Sequence, residues 1–285
     1  GKSVCGLLVA TPDGLAAIKS RVVVEGTGDG DVPAFAGAHT ITGSARDGIP
    51  MYASLGPVAS PGHPTNSFAG WVDPADPSDL TRAVLAGRRR FTWYDHGPYL
   101  APRETRHVAG GYTVTLRDQL AFRRHRDAVY ICNAERDIKG ITSADWALWG
   151  IKVGKISAEI PWRALIPENL DGVIVAGKAF SCTHEGLAIP RMQADLQNLG
   201  GVAGLAASMA ARRGIIPRRL DISALQRELV RRGVLSRTVL VRRPLPTPTS
   251  GRLRELVRSL RGNELDYPED HWTRDRLQAD TVPLL

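Results

Sequence analysis

The N-terminal part of the chain alternates short apolar runs with residues that favour turns. Two apolar stretches containing β-branched residues, 4–10 and 18–24, lie on either side of Pro12-Asp13-Gly14. Such stretches around a turn predict a β-hairpin. The second stretch runs directly into a glycine-rich segment, 25–31, and residues 32–38 are predicted to form a short helix. We therefore expect a strand, a glycine turn and a helix N-terminus to follow one another here.

The middle of the chain has weaker periodicity. Residues 42–78 are rich in Gly, Pro, Ser and Asp and are predicted to be mostly loop. A helix is predicted from residue 78 to about 93, a brief strand over 112–115, and a helix with one apolar side over 116–126. The stretch 127–158 has no clear period, so the sequence predicts no element there.

The C-terminal half carries clearer signals. Residues 173–177 (Val-Ile-Val-Ala-Gly) form a continuous apolar run, which is typical of a strand buried in a parallel sheet. The other predicted elements are an extended segment bounded by prolines at 160–167, a long helix over 193–213 that stops at Gly214, an amphipathic helix over 221–232, a proline-rich linker at 242–251 and a short charged helix at 252–261.

Composition indicates a globular protein. The chain has 285 residues, of which 43% are hydrophobic, 29 are Gly and 19 are Pro, so it can bury a substantial core. No apolar run approaches the roughly twenty residues that a transmembrane helix needs, and the N-terminus lacks an export signal. The three cysteines are widely spaced and form no CxxC metal pair or disulfide framework. We therefore expect a soluble, cytoplasmic protein with no metal site and no membrane partner.

The positive charge does not by itself indicate a nucleic-acid partner. Lys and Arg number 37 against 29 Asp and Glu, which gives a formal net charge of +8. The basic residues are spread along the chain in pairs, and aromatic residues do not interleave with them as a base-stacking surface requires. Solvated arginines on helix surfaces are the expected explanation, attraction of an anionic cofactor or substrate is the next, and we expect no nucleic-acid binding.

Two segments repeat one arrangement, a buried strand followed by a glycine-bearing loop and a helix. In the first, 21–31, glycines allow the backbone to approach a ligand, although a plain tight turn explains them equally well. It is not the dinucleotide fingerprint GxGxxG, because Asp31 and Pro33 stand where glycine would be needed. In the second, Gly200, Gly201 and Gly204 lie on adjacent helical turns, which suits either ligand approach or close packing.

Four phrases in order identify a family resemblance. Residues 24–31 resemble "IDATGDGD", 103–112 resemble "RETRRIVGEY", 160–181 resemble "IPYRSLIPKGVDNLLVAGRCIS", and 191–210 resemble "RVMPTCMALGQAAGTAAALA". These phrases are characteristic of FAD-dependent oxidoreductases of the glutathione-reductase-like class, related to the flavin subunit of heterodisulfide reductase. The chain resembles the C-terminal portion of such a protein, from residue 1 to about 233.

The resemblance implies an α/β fold, a partial Rossmann-like FAD-binding fold with an inserted, irregular substrate-side region. The implied divisions are a remnant of the FAD-binding domain at 1–40, the insertion at 41–160, the C-terminal part of the FAD-binding domain at 161–233, and a linker and tail at 234–285. The N-terminal half with GxGxxG is not present in this sequence. We therefore expect a fragment, with a separate chain supplying that half or a decayed copy as the alternatives.

The resemblance also implies which residues contact FAD. The turn after the first strand would approach the adenosine and pyrophosphate, the end of the second strand the ribityl–pyrophosphate region, and the amides at the start of the alanine-rich helix the flavin ring. The implied cofactor-binding residues are Thr27, Gly28, Asp29, Ala176, Gly177, Lys178, Gly200, Gly201 and Val202. Glu25 departs from the family, because it puts a carboxylate beside a turn that would bind phosphate.

The candidate catalytic residues are Cys182, His184, Arg103 and Arg106. A thiolate or imidazole after the second strand could relay protons or electrons. The alternative for Cys182, which its residue type favours, is a small buried residue, and the alternative for His184 is a structural histidine. The arginines suit a carboxylate substrate or the flavin edge, or a salt bridge with Glu104 or another acid. The expected function is hydride or electron transfer through FAD to an unidentified small molecule, with an electron-transfer partner; the alternative is a scaffold subunit without the cofactor.

Overall fold

The computed structural model describes residues 2–45, 47–56, 58–60, 63–64, 67–70, 72–73, 76–90, 99–134, 155–241, 249–251 and 254. The strands are β1 (Lys2–Ser3), β2 (Gly6–Thr11), β3 (Gly14–Lys19), β4 (Val23–Glu25), β5 (Thr40–Thr42), β6 (Ala53–Gly56), β7 (Val58–Ser60), β8 (His63–Pro64), β9 (Ser67–Gly70), β10 (Tyr99–Ala101), β11 (Arg106–Val108), β12 (Ala128–Ala134), β13 (Ile156–Pro161), β14 (Leu170–Asp171) and β15 (Val173–Val175). The α-helices are α1 (Asp31–Phe35), α2 (Pro77–Arg90), α3 (Leu116–Leu120), α4 (Gln193–Arg213), α5 (Ile222–Arg231) and α6 (Thr238–Val241). This is a mixture of helices and small sheets, consistent with the α/β class.

The N-terminal hairpin is confirmed, but its second strand, β3, runs from Gly14 to Lys19 and not over the predicted 18–24. β2 pairs antiparallel with β3, and the turn uses Gly14 at a φ of 116°. The predicted stretch 18–24 divides because the Ser20 N–H bonds to the Cys5 carbonyl and closes the hairpin. The remainder becomes β4, which is not part of the hairpin. In the hairpin itself, the side chains of Leu8 and Leu15 are 79% and 81% exposed.

Parallel pairing between distant segments forms the centre of the fold. β4 pairs with β15, and β1 pairs with β14 immediately before it. The buried strand predicted at 173–177 is therefore confirmed as β15, whose three residues are at most 1% exposed. Helix α4 contacts both β4 and β15. The main core joins β15 and α4 to the β12–β13 pair and α5, and includes Val129, Ile160, Ile174, Val202 and Leu225.

Several predictions for the middle of the chain were wrong. The segment predicted to be loop contains β6 and β9, which pair with each other while β10 pairs with β6. The strand predicted over 112–115 makes only an isolated bridge between Val114 and Cys182, because Thr115 instead caps α3 through a reciprocal capping box with Asp118. These strands contain many small residues and lack an alternation of apolar and polar positions, and their partner strands are distant in sequence. The sequence pattern therefore did not predict them.

The helix predicted over 116–126 ends at Leu120. The next residue but one, Phe122, has a φ of 47°, a left-handed conformation that stops a helix. The stretch without a period contains β12, which pairs antiparallel with β13. The extended segment at 160–167 is only in part a strand, since Trp162–Leu165 form a 3₁₀ turn.

The C-terminal helices follow the prediction closely. α4 ends at Gly214 in the left-handed conformation, and α5 begins after Asp221, whose carboxylate accepts a hydrogen bond from the Ala224 N–H. Most of the predicted linker and of the helix at 252–261 lie outside the described residues. None of the helices in the described ranges combines the length and apolar character needed to cross a bilayer.

Replacing Gly172, between β14 and β15, is expected to disrupt the parallel pairing. Gly172 has a φ of 78°, and a Cβ there would overlap the Val4 carbonyl oxygen. Gly172→Ala should lower the free energy of unfolding by about 3 kcal/mol or more, from left-handed strain and backbone overlap together. Gly233→Ala is the matched control, because its φ is 73° and nothing lies within 4 Å of a Cβ; it should cost about 1 kcal/mol. Equal losses in urea denaturation would contradict the proposed overlap.

Candidate functional site

The turn after β4 is built over a buried carboxylate. Glu25 is 1% exposed, and its Oε1 accepts hydrogen bonds from the backbone N–H and the hydroxyl of Thr27. Its Oε2 accepts from the Val32 N–H in the first turn of α1, at 3.0 Å. Three donors therefore occupy the carboxylate that the sequence placed beside a phosphate-binding turn. Its role in this structure is to fix the glycine turn on α1.

The turn touches the end of β15 through two glycines. A Cβ on Gly177 would lie 3.1 Å from the Gly28 Cα, so only glycine allows this approach without a shift. The Lys178 Nζ donates to the Gly28 carbonyl and to Asp29 Oδ1, each at 2.6 Å. Burial raises the pKa of Asp29, but the hydrogen bond and charge of Lys178, helped by Thr105, outweigh it and the pKa falls below its ordinary value. The two segments are thus linked by backbone contact and by an ion pair.

A cavity of about 510 Å³ opens between these segments and α4. It brings together most of the residues predicted to bind a cofactor: Thr27, Gly28, Asp29, Ala176, Gly177, Lys178 and Gly200. Sequence reasoning missed the other lining residues, which are Val24, Gly26, Ala101, Pro102, Gln193, Leu196 and Gln197.

The amides of Gly200, Gly201 and Val202 do not lie at the start of the alanine-rich helix, where the family resemblance implied them to be. Helix α4 begins at Gln193, so the amides of Gly200, Gly201 and Val202 lie in the helix interior, where N–H groups donate to the preceding turn. Gly200 instead meets the cavity with its bare backbone, on the face that also carries Gln193 and Leu196. Gly201 is exposed and Val202 is buried in the core, and neither lines the cavity. The spacing of 193, 196 and 200 along one helix face was a signal that could have found this wall.

A second group of polar residues is buried near the ends of β11 and β15. Glu104, whose side chain is 0% exposed, accepts hydrogen bonds from His107 Nε2 at 2.9 Å and His184 Nδ1 at 2.5 Å. The Met51 N–H donates to the same carboxylate at 2.8 Å. The Cys182 Sγ lies 3.3 Å from His107 Nδ1. We call these four side chains, Glu104, His107, Cys182 and His184, the buried polar cluster.

Charges within the buried polar cluster stabilise one another. Burial would raise the pKa of Glu104, but the hydrogen bonds from His107 and His184 lower it to about 2. Burial would lower the pKa of His107, but the Cys182 sulfur and the Glu104 carboxylate raise it to about 10. The carboxylate is therefore ionised at neutral pH, and His107 favours its protonated form.

The four predicted catalytic residues are placed in two different environments. Cys182 and His184, both at most 3% exposed, belong to the buried polar cluster and do not line the cavity. Arg106 lies 3.4 Å from Asp31, and Arg103 donates to the Tyr52 carbonyl at 2.7 Å. Neither arginine is paired with Glu104 by a contact in the described structure.

One short segment connects the cavity with the cluster. Thr105 donates to Asp29 Oδ1, at the cavity wall, at 2.9 Å. Glu104, immediately before Thr105, and His107, two residues after it, are both buried. Sequence reasoning selected the arginines of this segment and missed Glu104 and His107 as site residues. Within the described ranges, no group of three or more His, Cys, Asp and Glu side chains could hold a metal ion.

Comparison with known proteins gives a family match that covers the centre of the chain. The family model described as FAD dependent oxidoreductase matches residues 64–229, which is more than half of the chain. No curated protein and no solved structure matches.

Removing the charge of Glu104 should destabilise the protein in a pH-dependent way. The pKa of Glu104 lies near 2, below its ordinary 4.5, so its stabilisation is present above about pH 4.5 and is lost as the pH falls towards 2. Glu104→Gln should lower the free energy of unfolding by about 3–5 kcal/mol at pH 7, because it leaves buried donors unpaired. The difference from the wild type should shrink below pH 4.5 in urea titrations.

The control for this measurement is Glu228→Gln. Glu228 also has a pKa lowered to about 2, by Arg231 and Arg232, but it lies on the surface. We expect only a small change there, because solvent screens exposed ion pairs. A loss for Glu104→Gln that stayed constant from pH 7 to pH 2 would show that packing, and not charge, supplies its contribution.

Proposed function

The chain belongs to the family of FAD-dependent oxidoreductases, and from that premise we propose that its cavity holds part of an FAD molecule and serves flavin-dependent oxidation or reduction of a small substrate. The observation that carries the proposal is the convergence of the glycine turn, the end of β15 and the first turns of α4 on one open cavity. We further propose that these elements belong to a Rossmann-like, glutathione-reductase-like fold.

The lining residues suit an extended, anionic group. Gly26 and Gly200 have nothing within 4 Å of where a Cβ would be, so a ligand could approach their backbone closely. Lys178 supplies a cation at the wall. Helix α4 starts at the same wall, and the positive end of a helix dipole favours anions there. A phosphate-bearing, flat cofactor is chemically compatible with this combination.

A bound flavin would supply the redox chemistry, while the protein supplies orientation and proton handling. We propose that Thr27, Gly28, Asp29, Ala176, Gly177, Lys178 and Gly200 form this chain's share of the cofactor site. Lys178 bridges Gly28 and Asp29, and so keeps the glycine turn and the end of β15 at a fixed separation.

We propose His184 as the residue that accepts or delivers a proton. Its Nδ1 faces the Glu104 carboxylate, which can only accept hydrogen bonds, so Nδ1 carries a proton. No described residue is bonded to the other ring nitrogen, Nε2, which leaves it able to accept a proton. Arg103 and Arg106 bind the Tyr52 carbonyl and Asp31, so we propose that they position the loops around the site.

We also propose that another segment, in this chain or a second chain, completes the FAD site. Among the described residues no strand pairs with the outer edge of β4, and Val24 at that edge lines the cavity and is 38% exposed. An unpaired sheet edge presents backbone N–H and C=O groups that a neighbouring strand can bond, so a further parallel strand beside β4 would fit this edge. The substrate and any electron-transfer partner of the completed protein belong to this same proposal.

Filling the cavity from the α4 side should weaken FAD binding. Gly200→Leu would project a side chain into the cavity, whereas Gly201→Leu would project one from an exposed position outside the lining. We expect the first to raise the FAD dissociation constant at least about tenfold, because an intruding side chain costs roughly 1–3 kcal/mol. Quenching of FAD fluorescence on titration with purified protein measures the constant.

The paired variant separates cofactor binding from helix stability. Both substitutions replace a helical glycine with a better helix former and should stabilise α4 similarly. Equal affinities of the two variants and the wild type would place FAD elsewhere. A protein that folds but neither carries nor takes up flavin would instead favour the scaffold function.

A further inference from the structure

The buried polar cluster fixes where the protons of His107 must lie. Glu104 is an ionised carboxylate and offers no proton, so the contact of 2.9 Å to His107 Nε2 requires that Nε2 donates. The assignment of this proton to Nε2 does not depend on Cys182 or His184. The state of the ring then depends on the other nitrogen, Nδ1.

Nδ1 of His107 faces two groups at once. The Phe180 carbonyl oxygen and the Cys182 Sγ each lie 3.3 Å from it. A carbonyl oxygen can only accept a hydrogen bond. It would repel the lone pair of an unprotonated Nδ1, and it therefore favours the protonated form of Nδ1. With Nδ1 protonated, the sulfur becomes the second acceptor, and a thiolate accepts far better than a thiol.

We propose that Cys182 and His107 form a buried thiolate–imidazolium pair, which makes Cys182 a nucleophilic site for small, soft electrophiles. The S–H bond of Cys182 breaks and the N–H bond at Nδ1 of His107 forms, with no change in oxidation state. The Phe180 carbonyl and the Glu104 carboxylate are already in place for this state. The pair exists whether or not FAD binds, so it does not rest on the proposed cofactor site.

The surrounding charges are compatible with this assignment. The titratable groups facing the pair are Glu104 before β11, His184 two residues after Cys182, and Cys132 on β12. Cys132 donates its own S–H to the Ala158 carbonyl, and burial raises its pKa, so it remains a neutral thiol. The Glu104 charge supports the imidazolium, and the imidazolium in turn offsets the cost of burying a thiolate.

The pair would react as ion-paired cysteines do. The thiolate attacks an electrophilic carbon, a carbon–sulfur bond forms, and the leaving group departs with the bonding electrons while His107 keeps its proton. Cys5, which is exposed, and Cys132, which is buried without a cation, provide internal comparisons in the same chain.

Thiolate absorbance at 240 nm tests the proposal directly and needs no access for a reagent. At pH 7 the difference spectrum between the wild type and Cys182→Ala should carry the absorbance of one thiolate. In the Glu104→Gln background this absorbance should fall, because the imidazolium loses its carboxylate partner. Cys5→Ser, the surface control, should leave it unchanged.

Absence of thiolate absorbance from this difference at pH 7 would overturn the proposal. Should Cys182→Ala fail to fold, iodoacetamide labelling of the folded wild type at pH 7, followed by peptide mass spectrometry, replaces it. Cys182 should be labelled faster than Cys132, which is similarly buried but donates its S–H to a backbone carbonyl. Equal or slower labelling of Cys182 would contradict the ion pair.

Discussion

Three residues of parallel pairing between β4 and β15 determine the geometry of everything around the cavity. Val23, Val24 and Glu25 align with Val173, Ile174 and Val175, so the two loops that follow emerge side by side. Lys178 and Gly28, which are 150 residues apart in sequence, come within hydrogen-bond distance as a result. The carboxyl ends of neighbouring parallel strands are where α/β proteins place ligands, and this pairing creates such an end from two distant segments.

Two carboxylates near this strand pair, those of Glu25 and Glu104, are buried without a Lys or Arg partner among the described residues. Glu25 is satisfied by backbone and hydroxyl donors, and Glu104 by two histidines and a backbone N–H. A buried ion is tolerable only when its lone pairs are occupied, and each of these carboxylates has at least three donors. Each carboxylate therefore orders the chain around it through its hydrogen bonds. Glu25 orders the glycine turn, and Glu104 orders the segments near the ends of β11 and β15. Thr105 links the two regions through Asp29.

Elements whose signal is local could be predicted from the sequence. The apolar run of β15, the apolar periodicity and C-terminal glycine of α4, and the aspartate before α5 each specify an element without reference to distant residues. β12, β13 and the small sheet around β6 could not be found in this way, because they depend on partners far along the chain. The predicted cofactor residues came from the family resemblance, and seven of the nine line the cavity. Glu104 and His107 escaped notice because a glutamate between arginines has the pattern of a solvated surface, and only tertiary pairing buries it.

The uncovered β2–β3 hairpin has a consequence for handling the protein. Leu8 and Leu15 present apolar surface on a ribbon whose outer edges carry no partner strand in the described structure. Ribbons of this kind recruit strands from neighbouring molecules when protein is concentrated. We therefore expect concentrated protein to self-associate through this ribbon while the core around β15 is still folded. A charged residue in place of Leu15 should raise the protein concentration at which the solution becomes turbid.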